Sequence, residues 1–167
     1  MTGIPEQRDL LVIGGGPAGA ATAIRAARAG ARVTLFEKGS PGRDKICGDG
    51  LTPRAVKALN ELGVDLGDAH RIDGLRMIAN NTRRQLNWPG IAPFPAYGAV
   101  WPRRRLDEAL VRLAEEAGAE ILWDHEAMPT LEGDRVVGVE VGDRRWTSPF
   151  TVVATGAPGP VTRLLGA

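Results

Sequence analysis

Cysteine is nearly absent from these 167 residues. Cys47 stands alone, so neither an intramolecular disulfide nor a cysteine-built zinc cluster can form within the chain. Histidine is limited to His70 and His125, both read as surface or loop residues, and no metal is expected. An excess of one charge is missing as well: 21 Lys+Arg against 20 Asp+Glu leave +1, which gives no reason to expect a nucleic-acid partner. Aromatic residues are 5% of the chain, and Trp88, Trp101, Trp123 and Trp146 are too scattered for a stacking platform; they read as packing residues. No long apolar run exists either. The most apolar stretch, Leu10 to Ile24, is broken by Gly14-Gly15-Gly16-Pro17 and makes a poor membrane span. The opening MTGIPEQRD lacks the basic-then-apolar pattern of a signal peptide, so a cytoplasmic location is expected.

What is present is an ordinary globular composition, 43% hydrophobic and 25% charged, at a length that suits one domain over residues 1–167. The 22 glycines and 12 prolines are dispersed between periodic segments, which points to turns rather than disorder. Arg8 to Gly14 holds the continuous run Leu10-Leu11-Val12-Ile13, the signature of a strand buried on both faces. Pro17 to Gly30 is an alanine-rich helix, and Ala31 to Glu37 a second strand, which together make a βαβ unit. Thr52-Pro53 reads as N-cap and first helical position ahead of Val56, Leu59 and Leu62, with Gly63 as the stop. GLRMIA and RRQLNW are expected to pair around Asn80-Asn81. Arg103 to Gly118 predicts a helix with Leu106, Leu110, Leu113 and Ala117 on its stripe. Glu120 to Trp123 predicts a strand, Val137 to Ser148 a hairpin turning at Gly142-Asp143, and Phe150 to Ala154 a last buried strand.

The sharpest chemical signal is Gly14-Gly15-Gly16-Pro17-Ala18-Gly19, a G-x-G-x-x-G at the strand-to-helix turn. Gly14 permits the tight turn, Gly16 the approach of a phosphate, and Gly19 close helix–strand packing. Unpaired N–H groups and about half a positive charge at the helix start favour a pyrophosphate. Glu37, followed by Lys38, closes the second strand where a carboxylate accepts hydrogen bonds from an adenosine ribose. This unit alone does not separate FAD from NAD. A second signal is Cys47-Gly48-Asp49-Gly50, a loop that either passes close to something flat and bulky or simply uses Cys47 as a small filler.

Taken together, GGGPAG, Glu37, RDKICGDGLTPRAV, a strand pair, WPG…FPAYG and the R-x-x-L-D of Arg103, Leu106 and Asp107 resemble the geranylgeranyl reductase family, FAD-dependent relatives of the aromatic-hydroxylase flavoproteins. The likeness runs along nearly the whole chain and is greatest to actinobacterial members that act on the menaquinone tail. It implies an α/β fold: a Rossmann-like βαβ FAD-binding domain with a β-meander and an incomplete substrate-sheet insertion, whose partial strands lie in residues 71–100. It also implies that Gly14 to Gly19, Glu37 and Lys38 hold FAD, and that Arg103 lies along its ribose–pyrophosphate part. Cys47 to Gly50 would approach the flavin ring where an alkene docks, with Cys47 the candidate catalytic residue. The reaction implied is hydride delivery from reduced FAD to an isolated C=C, with a separate proton donor and alignment doing much of the work. The partners implied are an isoprenoid lipid, an electron donor (NAD(P)H or a reduced carrier), and peripheral membrane contact through the substrate.

Two departures stand out. Thr155-Gly156 replaces the family's Asp-Gly and Gly159 its serine, while Arg163 and Gly166 fit. The chain also stops before the rest of the substrate domain and a second Gly-Asp motif, so residues 71–88 are expected to expose an unpaired edge and apolar surface. Two other readings are an aromatic-oxygenating flavin monooxygenase and a truncated nucleotide-binding module without catalysis. A plain NAD dehydrogenase is disfavoured because no second mononucleotide half follows.

Overall fold

The computed structural model describes residues 5–156 and 160–166. These fall into two compact units, one formed by residues up to Arg43 together with those from Asp107 onward, the other by Asp44–Leu106.

In the first unit the short strand β1 (Glu6–Gln7) leads into β2 (Leu10–Ile13), helix α1 (Pro17–Arg28) and β3 (Val33–Glu37). Later come β9 (Glu120–Trp123), β10 (Met128–Glu132), β11 (Arg135–Val141), β12 (Arg144–Thr147), β13 (Phe150–Val153) and α4 (Pro160–Leu164). The parallel sheet has the order β13-β2-β3-β9, with Val12 beside Leu35 and Val152, so the apolar run of β2 is flanked by strands on both edges. A second sheet, β1-β12-β11-β10, is a meander joined by β1 running parallel to β12. The fold is therefore α/β and Rossmann-like, with the expected meander.

Phase along the strands decides which residues meet. Leu11, Ile13 and Phe36 pack with Ala127, Val139 and Trp146. Phe36 meets Trp146 edge-on, at 5.0 Å between ring centroids. Val12, out of phase with these, lies beneath α1: a methyl added at Gly19 would come within 3.2 Å of its Cγ1. Buried Thr34 is satisfied in a polar network at the opposite end of β3 from Glu37. Its hydroxyl accepts from Arg8 Nε (2.8 Å) and donates to Glu120 Oε2 (2.7 Å).

In the second unit β4 (Gly50–Leu51), β8 (Gly98–Val100) and β5 (His70–Ile72) form a small antiparallel sheet in that order. Helix α2 (Pro53–Leu62) begins as its sequence dictates: the Thr52 hydroxyl accepts from the Ala55 N–H, and Gly63 closes it at φ +82°. The hairpin of β6 (Gly74–Ala79) and β7 (Thr82–Asn87) is a two-stranded sheet by itself. Leu75 opposite Leu86, and Met77 and Ile78 after them, are exposed, as the want of partner strands predicts.

Some expectations need correction. Helix α3 (Arg103–Glu116) buries Leu106, Leu110, Val111 and Ala114, while Leu113 and Ala117 are only half-buried, so its apolar stripe is rotated from the expected one. Phe150 is 70% exposed because β13 is an edge strand and not fully buried. His70 is a surface residue, as expected, and stands in β5. The run from Lys38 to Leu51 is not all loop, since it ends in β4. Strand β10, whose sequence MPTLE carries a proline and a register shift at Thr130/Leu131, was not anticipated.

Candidate functional site

The turn from β2 into α1 is shaped by two glycines. Gly14 takes φ +109°, and a methyl there would lie 2.6 Å from the Ala154 carbonyl oxygen. A methyl at Gly19 would lie 1.9 Å from the Gly14 carbonyl oxygen, so only glycine lets the first turn of the helix sit on the strand end. Gly16 is the N-cap, with φ −73° and no side-chain cap, and Pro17 occupies the first turn, where its missing N–H costs nothing. No acidic residue stands in that turn, so the positive end of α1 faces no compensating carboxylate from its own sequence. A helix start of this kind favours an anion, and the lack of side chains at Gly14 to Gly16 suits a diphosphate lying against the backbone.

Glu37, the last residue of β3, is 3% exposed. Its Oε2 accepts from the Gly15 N–H at 2.7 Å, and its Oε1 from the Gly39 N–H at 2.9 Å. Arg43 donates from Nε to Oε1 (2.9 Å) and from Nη2 to Oε2 (3.1 Å). Burial pulls the carboxyl pKa upward, but Arg43 and the N–H groups of Gly39 and Gly15 outweigh it and leave the group below its ordinary value. Glu37 is therefore an ionised buried carboxylate tied to the glycine turn. Lys38 beside it is exposed. Sequence reasoning gave Arg43 no role; its signals were its place just after the turn-forming stretch Gly39-Ser40-Pro41-Gly42, six residues past the carboxylate, and at the head of the run RDKICGDGLTPRAV.

Within the second unit, Asp49 has its own structural task. It adopts φ +54°, its carbonyl accepts from the Trp101 N–H at 2.9 Å, and its Oδ1 accepts from the Arg103 N–H at 2.9 Å. It thereby caps the start of α3 from across the unit and fixes where Arg103 begins the helix. Cys47 is exposed. A methyl added at Gly48 would meet no protein atom within 4 Å, and one at Gly50 only the Gly48 carbonyl oxygen at 3.8 Å, so no protein neighbour demands glycine at either position. His125 is half-buried and its Nδ1 pairs with the Trp123 carbonyl. Among the described residues no group of three or more His, Cys, Asp or Glu is placed to hold a metal, and no helix is long and apolar enough to cross a membrane. Thr155 is exposed, and Gly159 lies outside the described residues.

Comparison with known proteins agrees with this geometry. The chain is 40% identical to the menaquinone reductase of Mycobacterium tuberculosis strain H37Rv, over 98% of its own length and 41% of that protein's. It is 39% identical to digeranylgeranylglycerophospholipid reductase 1 of Methanopyrus kandleri, over 95% of this chain and 42% of the relative. The myxobacterial FAD-dependent chondrochloren halogenase CndH superposes with a TM-score of 0.83 at 29% identity, over 95% of this chain and 39% of the other. The chain thus spans about two fifths of the length of the curated relatives it matches. Residues 7–167 match the profile of the FAD binding domain family. With a glycine turn that excludes side chains, a helix whose first turn carries no acidic residue and a buried carboxylate at the end of the second strand, this chain belongs to the FAD binding domain family and its cofactor is FAD.

Proposed function

We propose that this chain is the cofactor-binding part of an FAD-dependent reductase that saturates a C=C bond in an isoprenoid chain, either a geranylgeranyl group or a menaquinone tail. The observation that carries the reading is the Glu37 carboxylate bonded to the Gly15 N–H, which joins the phosphate turn and the ribose acceptor in one rigid piece. The names of the relatives, menaquinone reductase and digeranylgeranylglycerophospholipid reductase, support the choice of substrate class. Bound FAD supplies the two-electron chemistry; the protein's part is binding, orientation and proton supply.

In this reading the backbone of Gly14 to Gly19 lies against the pyrophosphate, Glu37 accepts from the adenosine ribose, and Lys38 adds positive charge nearby. Arg103, set in place by Asp49, serves the ribose–pyrophosphate part. The exposed Cys47, with room beside Gly48 and Gly50 where a side chain would stand, faces the alkene and the flavin ring. The exposed apolar hairpin of β6 and β7 belongs to the lipid-binding sheet. NAD(P)H or a reduced carrier provides electrons, and the lipid brings the protein to a membrane surface from a cytoplasmic location.

The likeness to the FAD-dependent halogenase favours a second reading, an oxidative enzyme on the same scaffold. An anaerobic incubation with FAD, a reductant and a geranylgeranyl or menaquinone substrate separates the two. The reductase reading expects a product heavier by two hydrogens without oxygen. Turnover that requires oxygen and inserts oxygen or halogen into an aromatic compound contradicts it.

A further inference from the structure

Glu37 has no acceptor position to spare. An ionised carboxylate offers about four lone-pair sites. Here all are filled: Oε1 by the Gly39 N–H and Arg43 Nε, Oε2 by the Gly15 N–H and Arg43 Nη2. A ribose hydroxyl that bonds to this carboxylate must therefore displace a donor already present. The two backbone donors are fixed, one in the turn between β2 and α1, the other two residues beyond Glu37 itself. The guanidinium is different: it ends a long side chain that is 29% exposed. It reaches Glu37 by passing over Gly39, where a methyl would stand 2.1 Å from Arg43 Cδ and 2.7 Å from its Nε.

The shape of the contact also matches what would replace it. Arg43 presents two N–H donors side by side, one to each carboxylate oxygen. The neighbouring 2′- and 3′-hydroxyls of a ribose present two O–H donors in the same manner. We propose that Arg43 is a latch on the ribose site, holding the Glu37 acceptors in the free protein and yielding them to the vicinal diol of the adenosine when the dinucleotide binds. The inference rests on the reading of Glu37 as the ribose acceptor. Arg43 thus keeps a buried carboxylate paired while the site is empty, so the site stays formed but imposes a competition penalty on each ligand that enters. A ligand lacking the diol has nothing with which to displace the arginine.

The experiment is calorimetric titration of the purified chain and its Arg43→Gln variant with FAD, ADP and 2′,3′-dideoxyadenosine diphosphate, with circular dichroism to establish folding. The latch predicts that Arg43→Gln binds FAD and ADP about fivefold to tenfold more tightly than wild type, with no gain for the dideoxy compound. Unchanged or weaker binding of ADP by the variant, or an equal gain for the dideoxy compound, overturns the latch while leaving FAD binding by the wild type intact. No heat with FAD or ADP in the wild type overturns the ribose-site reading and the latch together. Should Arg43→Gln fail to fold, Arg43→Lys keeps the charge but loses the two-pronged contact; it must then show the gain, or the latch is wrong.

Discussion

Glu37 is charged and almost wholly enclosed, and such a group persists only when its charge is met by donors. Replacement by Gln removes the ion pair with Arg43 and turns one acceptor into a donor facing the N–H of Gly15 or Gly39. We expect Glu37→Gln to lose about 2–4 kcal/mol of stability at neutral pH in urea unfolding. The pH dependence has a definite sign. A carboxyl held below its unfolded pKa adds stability above that value and loses it as pH falls through the folded one, so the gap between wild type and variant should shrink in acid, below about pH 4. A gap that stays constant from neutral pH to strong acid contradicts the ionised state. At this scale the sequence was legible where a residue belongs to a spaced strand–turn–helix–strand pattern, as Gly14, Gly19 and Glu37 do. Arg43 and Asp49 were not legible, because each acts through a contact set by loop closure: Arg43 folds back on Glu37, and Asp49 reaches the Arg103 N–H some fifty residues away.

Elements follow the same division. Helix α2 could be read end to end because Thr52, Pro53 and Gly63 carry their own stop and start chemistry and Val56, Leu59 and Leu62 their own period. Loss of the cap in Thr52→Ala should cost about 1 kcal/mol, measured by thermal or urea unfolding. Helix α1 depends on a closer fit. Gly19→Ala drives a methyl against the Gly14 carbonyl, and we expect a loss of about 3 kcal/mol or more, with weakened FAD binding in whatever folds. Should Gly19→Ala prove as stable as wild type, the turn is looser than described. Strand β10 escaped the sequence because Pro129 and the shift at Thr130/Leu131 break its alternation, and the two-residue strands β1 and β4 are too short to show one. The apolar stripe of α3 was placed on the wrong side of Leu110 because Val111 and Leu113 flank the Leu106–Leu110 line on opposite sides, and the helical spacing of Leu106, Leu110 and Leu113 favoured the side that the structure leaves half-buried.

Across the whole molecule, stability is unevenly spread. The strands β13-β2-β3-β9 and the meander enclose the core around Trp146 and Phe36, whereas the β6–β7 hairpin has water on nearly every side chain. Amide hydrogen exchange should therefore protect Leu11, Val12 and Leu35 most strongly, and release the hairpin amides by local opening at far lower cost. Equal protection in both regions would contradict this division. The α/β class and the tight glycine turn were legible from strand, glycine run and helix in order. The apolar hairpin face was foreseen from its lack of partners, but its exposure is a property of packing that no local pattern encodes. The most direct test of the central claim is calorimetric titration of the purified chain and of Gly16→Val with FAD. Gly16 sits at φ −73°, so valine there leaves the backbone conformation allowed. The account predicts saturable FAD binding by the wild type, competition by ADP, and loss of both in the folded variant. Absence of binding by the wild type, or unchanged binding by Gly16→Val, would contradict it.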